Sequence, residues 1–192
     1  TFELGSFEER PDWVSSVAFW YQYPPATFTA ELPPAKERVA PYRVLFASQL
    51  EYRADPPFLV MQQDPFLAYI PSKPGARLEL DFSVEEPGRY VLAGIFLHGI
   101  IGGTWQASLN GQDIDEPRDY VKGQYDPMWV SLDTHDLKPG THTLAFQGID
   151  APSPGHRAVM PKMYGFGCAA LVVLRLDDME GYLQKRHELM EK

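Results

Sequence analysis

The sequence predicts an all-β fold, a jelly-roll β-sandwich closed by a short C-terminal amphipathic helix, and three observations carry that prediction. Apolar residues alternate with polar ones at period two, as in Arg77–Val84, where Leu78, Leu80, Phe82 and Val84 share one face. The 18 Pro and 15 Gly fall mostly between apolar runs, where they punctuate structure. Turn signals recur at the spacing of a sandwich, enough for roughly eight or more strands.

Taken in order, Trp13–Pro25 (WVSSVAFWYQYPP) reads as an aromatic strand stopped by Pro24-Pro25. Pro24–Pro41 holds five prolines and little periodicity, so it reads as an extended arm running over a surface. Tyr42–Ser48 is the next expected strand, and FLVMQQ (58–63) and FLAYIP (66–71) flank a turn at Asp64-Pro65. RLELDFSV (77–84) and RYVLAGIFLH (89–98), joined by the turn Glu85–Gly88, are expected to pair antiparallel. TWQASL (104–109) runs into Asn110-Gly111, whose residue types suit a two-residue hairpin with positive φ at both turn positions. WVSL (129–132) and THTLAF (141–146) bracket a turn at Pro139-Gly140, and AALVVLRL (169–176) supplies the last strand. In the tail, Met179, Tyr182, Leu183, Leu189 and Met190 fall near one helical face, with Asp177 or Asp178 as N-cap. Arg186 interrupts that stripe and Gly181 weakens the first turn. The expected division is therefore 1–41 strand and arm, 42–176 sandwich, 177–192 helix.

A chain of 192 residues buries one sizeable core. Its formal charge of −9 argues against nucleic acid and anionic membrane, whose binding draws on clustered Lys and Arg. No apolar run reaches the ~18 residues of a spanning helix, so no membrane insertion is expected. Cys168, alone, makes neither an internal disulfide nor a thiolate metal site, and a buried small hydrophobe is its expected role. The chain starts at Thr1 rather than Met, and the expectation is that a leader or upstream region is missing.

No G-x-S-x-G elbow or similar nucleophile signature is present, and His98, His135, His142, His156 and His187 are scattered, so neither a catalytic set nor zinc is expected. Asp113, Asp115, Glu116 and Asp119 form the densest acidic cluster. Solvation is its default role and calcium ligation the alternative; no other cofactor is expected. The same loop continues as RDYVKGQYDPMW (118–129), bringing Tyr120, Tyr125 and Trp129 near Asp119 and Asp126. Glycan sites set an aromatic face against the apolar side of a sugar ring and polar groups against its hydroxyls. Trp105, beside the glycine-rich GIIGGT (99–104), is expected to be exposed and joins the set. The candidate carbohydrate-binding residues are Trp105, Asp119, Tyr120, Tyr125 and Trp129. Core packing is the competing role for the set, and for Trp129, which opens a strand, it is the expected one.

SSVAFWYQYPP (15–25) followed by LPPAKER (32–38) resembles the terminal portion of the catalytic domain in glycoside hydrolase family 172. The resemblance implies a jelly-roll protein related to enzymes that act on fructofuranosides and arabinofuranosides and assemble into trimers or larger oligomers. The catalytic carboxylates of that family lie upstream of the matching region, so none is carried over. Trp20, Tyr21 and Gln22 carry over at most as site-bordering or structural residues. The remainder, with GRYVLAGIFLHG, ASLNGQDID and LKPGTHTLAF, looks like a carbohydrate-binding-type sandwich. The first functional expectation is a non-catalytic extracellular or cell-surface sandwich that self-associates into a homo-oligomer or filament through its aromatic strand, proline-rich arm and tail helix. The alternatives are a glycan-binding accessory module of a furanoside-active hydrolase, and one half of a family 172 type enzyme.

Overall fold

Period-two alternation gives each strand one dry face, and two sheets closing those faces on each other make the core. A computed structural model of the chain describes residues 34, 39–57, 60–150 and 164–190. Its elements are β1 (Tyr42–Phe46), a 3-10 turn (Ala47–Gln49), β2 (Glu51–Asp55), β3 (Val60–Gln63), β4 (Phe66–Tyr69), β5 (Arg77–Val84) and β6 (Gly88–His98). There follow β7 (Thr104–Leu109), β8 (Gln112–Asp113), β9 (Arg118–Asp119), β10 (Asp126–Leu137), β11 (Gly140–Ile149), β12 (Phe166–Arg175) and α1 (Leu176–Met190). The expected strand at Trp13–Pro25 and its family resemblance lie outside the described residues.

The first sheet has the order β10-β6-β12-β4-β3, with β1 also on β12; the second runs β2-β5-β11-β7-β8, with β9 also on β7. The far edge of β12 is shared by two short strands, β1 along Ala170–Leu174 and β4 along Phe166–Cys168. The long strands β5, β6, β7, β10, β11 and β12 alternate between the sheets, which is the winding of a jelly-roll sandwich. That winding corrects one expectation: β5 and β6 do not pair. β5 lies between β2 and β11, while β6 lies between β10 and β12. β6 is apolar on both faces and needs a central place, so the turn at Glu85–Gly88 carries the chain across to the other sheet instead of folding it back alongside β5.

The hairpin β7–β8 forms as its turn chemistry demands, with φ of 51° at Asn110 and 84° at Gly111. Between the sheets, Phe96, Phe146 and Phe166 pack at centroid separations of 4.3 to 5.4 Å. Tyr69 and Trp105 extend the cluster. Outside the first sheet a second, smaller cluster joins Ile95, Ala169 and Ala170, with Val44 against it.

α1 begins one residue earlier than expected, so Asp177 and Asp178 sit inside its first turn, where the helix dipole favours carboxylates. Arg175 ties this junction down, pairing with Glu86 at 2.8 Å, Asp178 at 3.0 Å and Asp177 at 3.3 Å. Met179 and Tyr182 are half-buried, whereas Leu183 is exposed, so the apolar stripe is only partly covered. Leu189 and Met190 are helical, and their side chains lie outside the described set. Among the described residues, no helix is long and apolar enough to cross a membrane.

Candidate functional site

Among the described residues, β10 ends the first sheet on the side away from β12. Val130 and Leu132 point into the core, so alternation turns Trp129 and Ser131 outward, with Pro127 in the same row. Tyr125, just before the strand, prolongs that row. Its ring lies on Gly99, where an added Cβ would come within 2.5 Å of the ring. Tyr125, Pro127 and Trp129 thus form one outward ribbon, about 13 Å from end to end at the rise of an extended chain. Tyr125 is 61% exposed and Trp129 60%. Alongside the ribbon in the sheet, Pro127 pairs with Leu97 and Trp129 with Ile95. A cleft of about 40 Å³ opens beside Tyr125, lined by Ala68, Ile70, Leu97, Ile101 and Gly167 among others.

The opposite side of the same strand is polar at its start. Lys122 donates to Asp126 Oδ2 at 2.6 Å and lies 2.7 Å from Met128 Sδ. The loop before it is clamped to the end of β6: Gly99 N–H donates to the Tyr120 carbonyl at 3.0 Å, and Lys122 N–H to the Gly99 carbonyl at 3.1 Å. Under this clamp lies His98, buried, with its ring 5.0 Å from that of Tyr120 and no partner on Nδ1 among the described residues. Burial, with a smaller contribution from the Lys122 charge, holds its pKa below the ordinary imidazole value.

The five sequence candidates divide. Tyr125 and Trp129 come together on the outer ribbon, and the expectation that Trp129 packs in the core is corrected. Trp105, expected at the surface, is interior at 1% exposure: Trp105, Ala107 and Leu109 alternate inward, and the indole Nε1–H donates to the Gly165 carbonyl at 3.1 Å. Tyr120 is equally interior, edge-on to Phe96 and Phe166, and burial pushes its phenol well above the usual range. Asp119 is half-buried on β9, where its Oδ1 accepts from Val121 N–H at 3.1 Å. Pro127 was missed, although 125, 127 and 129 stand at strand spacing.

Among the described residues, no three His, Cys, Asp or Glu side chains converge as a metal site requires. Asp115 is taken by Arg118 at 2.6 Å and by the Glu116 N–H at 2.8 Å. His142 is used twice: Nε2–H donates to the Lys138 carbonyl, which leaves Nδ1 to accept from the Asn110 amide. Cys168 is fully enclosed and burial raises its thiol pKa, so it is inert. A larger cavity, about 190 Å³, lies at the other end of β6 among Arg43, Glu85, Glu86, Tyr90, Arg175 and Asp178. Its guanidinium groups are engaged, Arg175 by three carboxylates and Arg43 by the Ser83 carbonyl at 2.7 Å.

No protein-family model matches the chain, and no curated protein matches it by sequence. Solved structures do. A Paenibacillus xanthan lyase matches with a TM-score of 0.54 at 13% identity over 78% of this chain, which spans only 14% of the lyase. A family 35 carbohydrate-binding module from Clostridium thermocellum matches at 0.43 with 11% identity, over 71% of this chain and 99% of the module. The family 35 module of Cellvibrio japonicus Abf62 matches at 0.44 with 14% identity, over 69% and 92%. At 13% identity the likeness to the lyase is one of fold alone.

Proposed function

We propose that this sandwich is a glycan-binding module whose ligand lies against the Tyr125–Pro127–Trp129 ribbon. The observation that carries the reading is the pair of exposed rings held on one outward row of a fixed strand. Exposed Trp and Tyr side chains cost solvation unless a partner covers their faces, and sugar rings offer flat C–H surfaces for that. The ribbon is held from below by the Gly99–Tyr120 clamp, so little ordering is needed on binding. The test is a glycan array probed with the labelled parent and with Trp129→Ala. Signals that appear with the parent and vanish with the variant support the reading, whereas a blank array together with flat calorimetry removes it.

The family 172 resemblance extends this to an accessory module of a furanoside-active hydrolase, in an extracellular or cell-surface setting. The residues Ser15–Gln22 that motivate it lie outside the described ones. Turnover of aryl arabinofuranosides by the chain itself would favour the half-enzyme alternative.

A self-associating sandwich is the second reading. It is favoured by the edge of β10, which pairs with no strand among the described residues, and by exposed Leu183 on α1. That edge is blunted, since Pro127 lacks an N–H and the register slips between Ser131 and Thr134, with Asp133 at φ 64°. Light scattering at micromolar concentration decides: a monomer sinks this reading and leaves the first intact.

A further inference from the structure

The ribbon offers two aromatic faces and no charge. Its neighbours in register are Leu97, half-buried, and Ile95, buried, on β6. The cations of the adjoining loop are committed, Lys122 to Asp126 and Arg118 to Asp115, each at 2.6 Å. The chain as a whole carries −9, which repels polyanions. A uronate or sulfate group set against the half-buried Leu97 would lose hydration and gain no counter-charge. A neutral sugar meets ring faces together with the Tyr125 phenol, the Trp129 indole N–H and the Ser131 hydroxyl.

The shape is equally selective. The ribbon is about 13 Å long and open. The cleft beside Tyr125, about 40 Å³, is far smaller than the roughly 300 Å³ of a pocket that engulfs a ligand. We infer that the Tyr125–Trp129 ribbon takes an uncharged, extended polysaccharide chain laid along the axis of β10 and discriminates against polymers bearing uronate or sulfate. This rests on the glycan-binding reading above.

The test is affinity electrophoresis of the full chain through gels holding a neutral β-glucan, β-mannan or xylan, or the anionic polygalacturonate or xanthan, each at low and high salt. The expected result is retardation by one or more neutral polymers, insensitive to salt, and weakened about tenfold or more by Trp129→Ala and by Tyr125→Ala. Trp129→Phe is expected to restore most of it, and melting temperatures of the variants should match the parent. Stronger, salt-sensitive retardation by polygalacturonate or xanthan overturns the inference while leaving the glycan-binding reading standing. Neutral binding that survives both alanine variants also overturns it, by placing the contact elsewhere. Migration unaffected by every polymer removes the glycan-binding reading and this inference with it.

Discussion

The two outer faces of the sandwich are built on the same pleat and meet their surroundings in opposite ways. On the second sheet, the outward rows read Arg53–Glu79–Ala145–Ser108 and Asp55–Arg77–Gln147–Gln106 across four strands. Charges there are answered at short range: Arg53 meets Asp81 at 2.5 Å and Glu79 at 2.8 Å, and Thr143 donates to Asp81 at 2.7 Å. On the first sheet, the corresponding rows read Phe46–Ala170–Ile95–Trp129 and Met61–Ala68–Gly167–Leu97–Pro127. No charged side chain stands in either row. The difference teaches how each face is finished: the second sheet is a wall of paired charges, while the first is apolar, with Ala170 and Ile95 already buried and Pro127 and Trp129 left exposed at its edge.

Moving a charge from one face to the other gives the largest effect. Ile95→Asp sets a carboxylate in the buried cluster of Ala169, Ala170 and Val44, and a loss of about 3 kcal/mol or more in urea unfolding is expected. Ser83→Asp on the second sheet should stay within about 0.5 kcal/mol of the parent. Equal losses from the two would erase the contrast.

Acid separates the faces more gently. His98, beneath the ribbon, has its pKa lowered by burial first and then by the Lys122 charge, with Asp126 opposing and Arg118 adding to the shift, so the unfolded chain binds its proton first. Stability should therefore fall as pH drops below the ordinary imidazole value of about 6.5, until the folded pKa is passed, and His98→Gln should flatten that part of the profile. On the other face, hydrogen bonds first from Arg53 and then from Thr143 hold Asp81 below the ordinary carboxylate value. Its contribution is present above the unfolded carboxylate pKa and is lost only as pH falls through the folded one, in a more acidic window. A single transition unaltered by either His98→Gln or Asp81→Asn would refute this separation. Smallest of all, Arg53→Ala should lower the melting temperature slightly at low salt and indistinguishably at high salt, since exposed ion pairs are screened.

Much of this architecture was legible because alternation is a local property. β5 and the Asn110-Gly111 hairpin follow directly from their residues. Pairing is not local, and so β5 and β6 were matched across a turn that in fact changes sheets. β2 went unread because Glu51, Arg53 and Asp55 dominate its composition, while only Tyr52 and Ala54 turn toward the core. The site was misread for want of the same test of alternation. In TWQASL the apolar set is Trp105, Ala107 and Leu109, which places that indole inside. In WVSL the inward pair is Val130 and Leu132, which leaves Trp129 on the side of Ser131. Indole chemistry is identical at both positions, and only the parity of the strand distinguishes a core wall from a platform.

Gly99 sets the level of that platform. A methyl group at this position would collide with the Tyr125 ring at 2.5 Å, yet the ring is mostly in solvent and can swing away. The fold thus carries a height adjustment separate from the contact surface. One carbon at Gly99, touching no ligand, would tilt one end of the ribbon out of line with Trp129 and shorten the stretch of chain that both rings can hold together. Evolution or design can retune the reach of this surface from underneath, leaving its chemistry as it is.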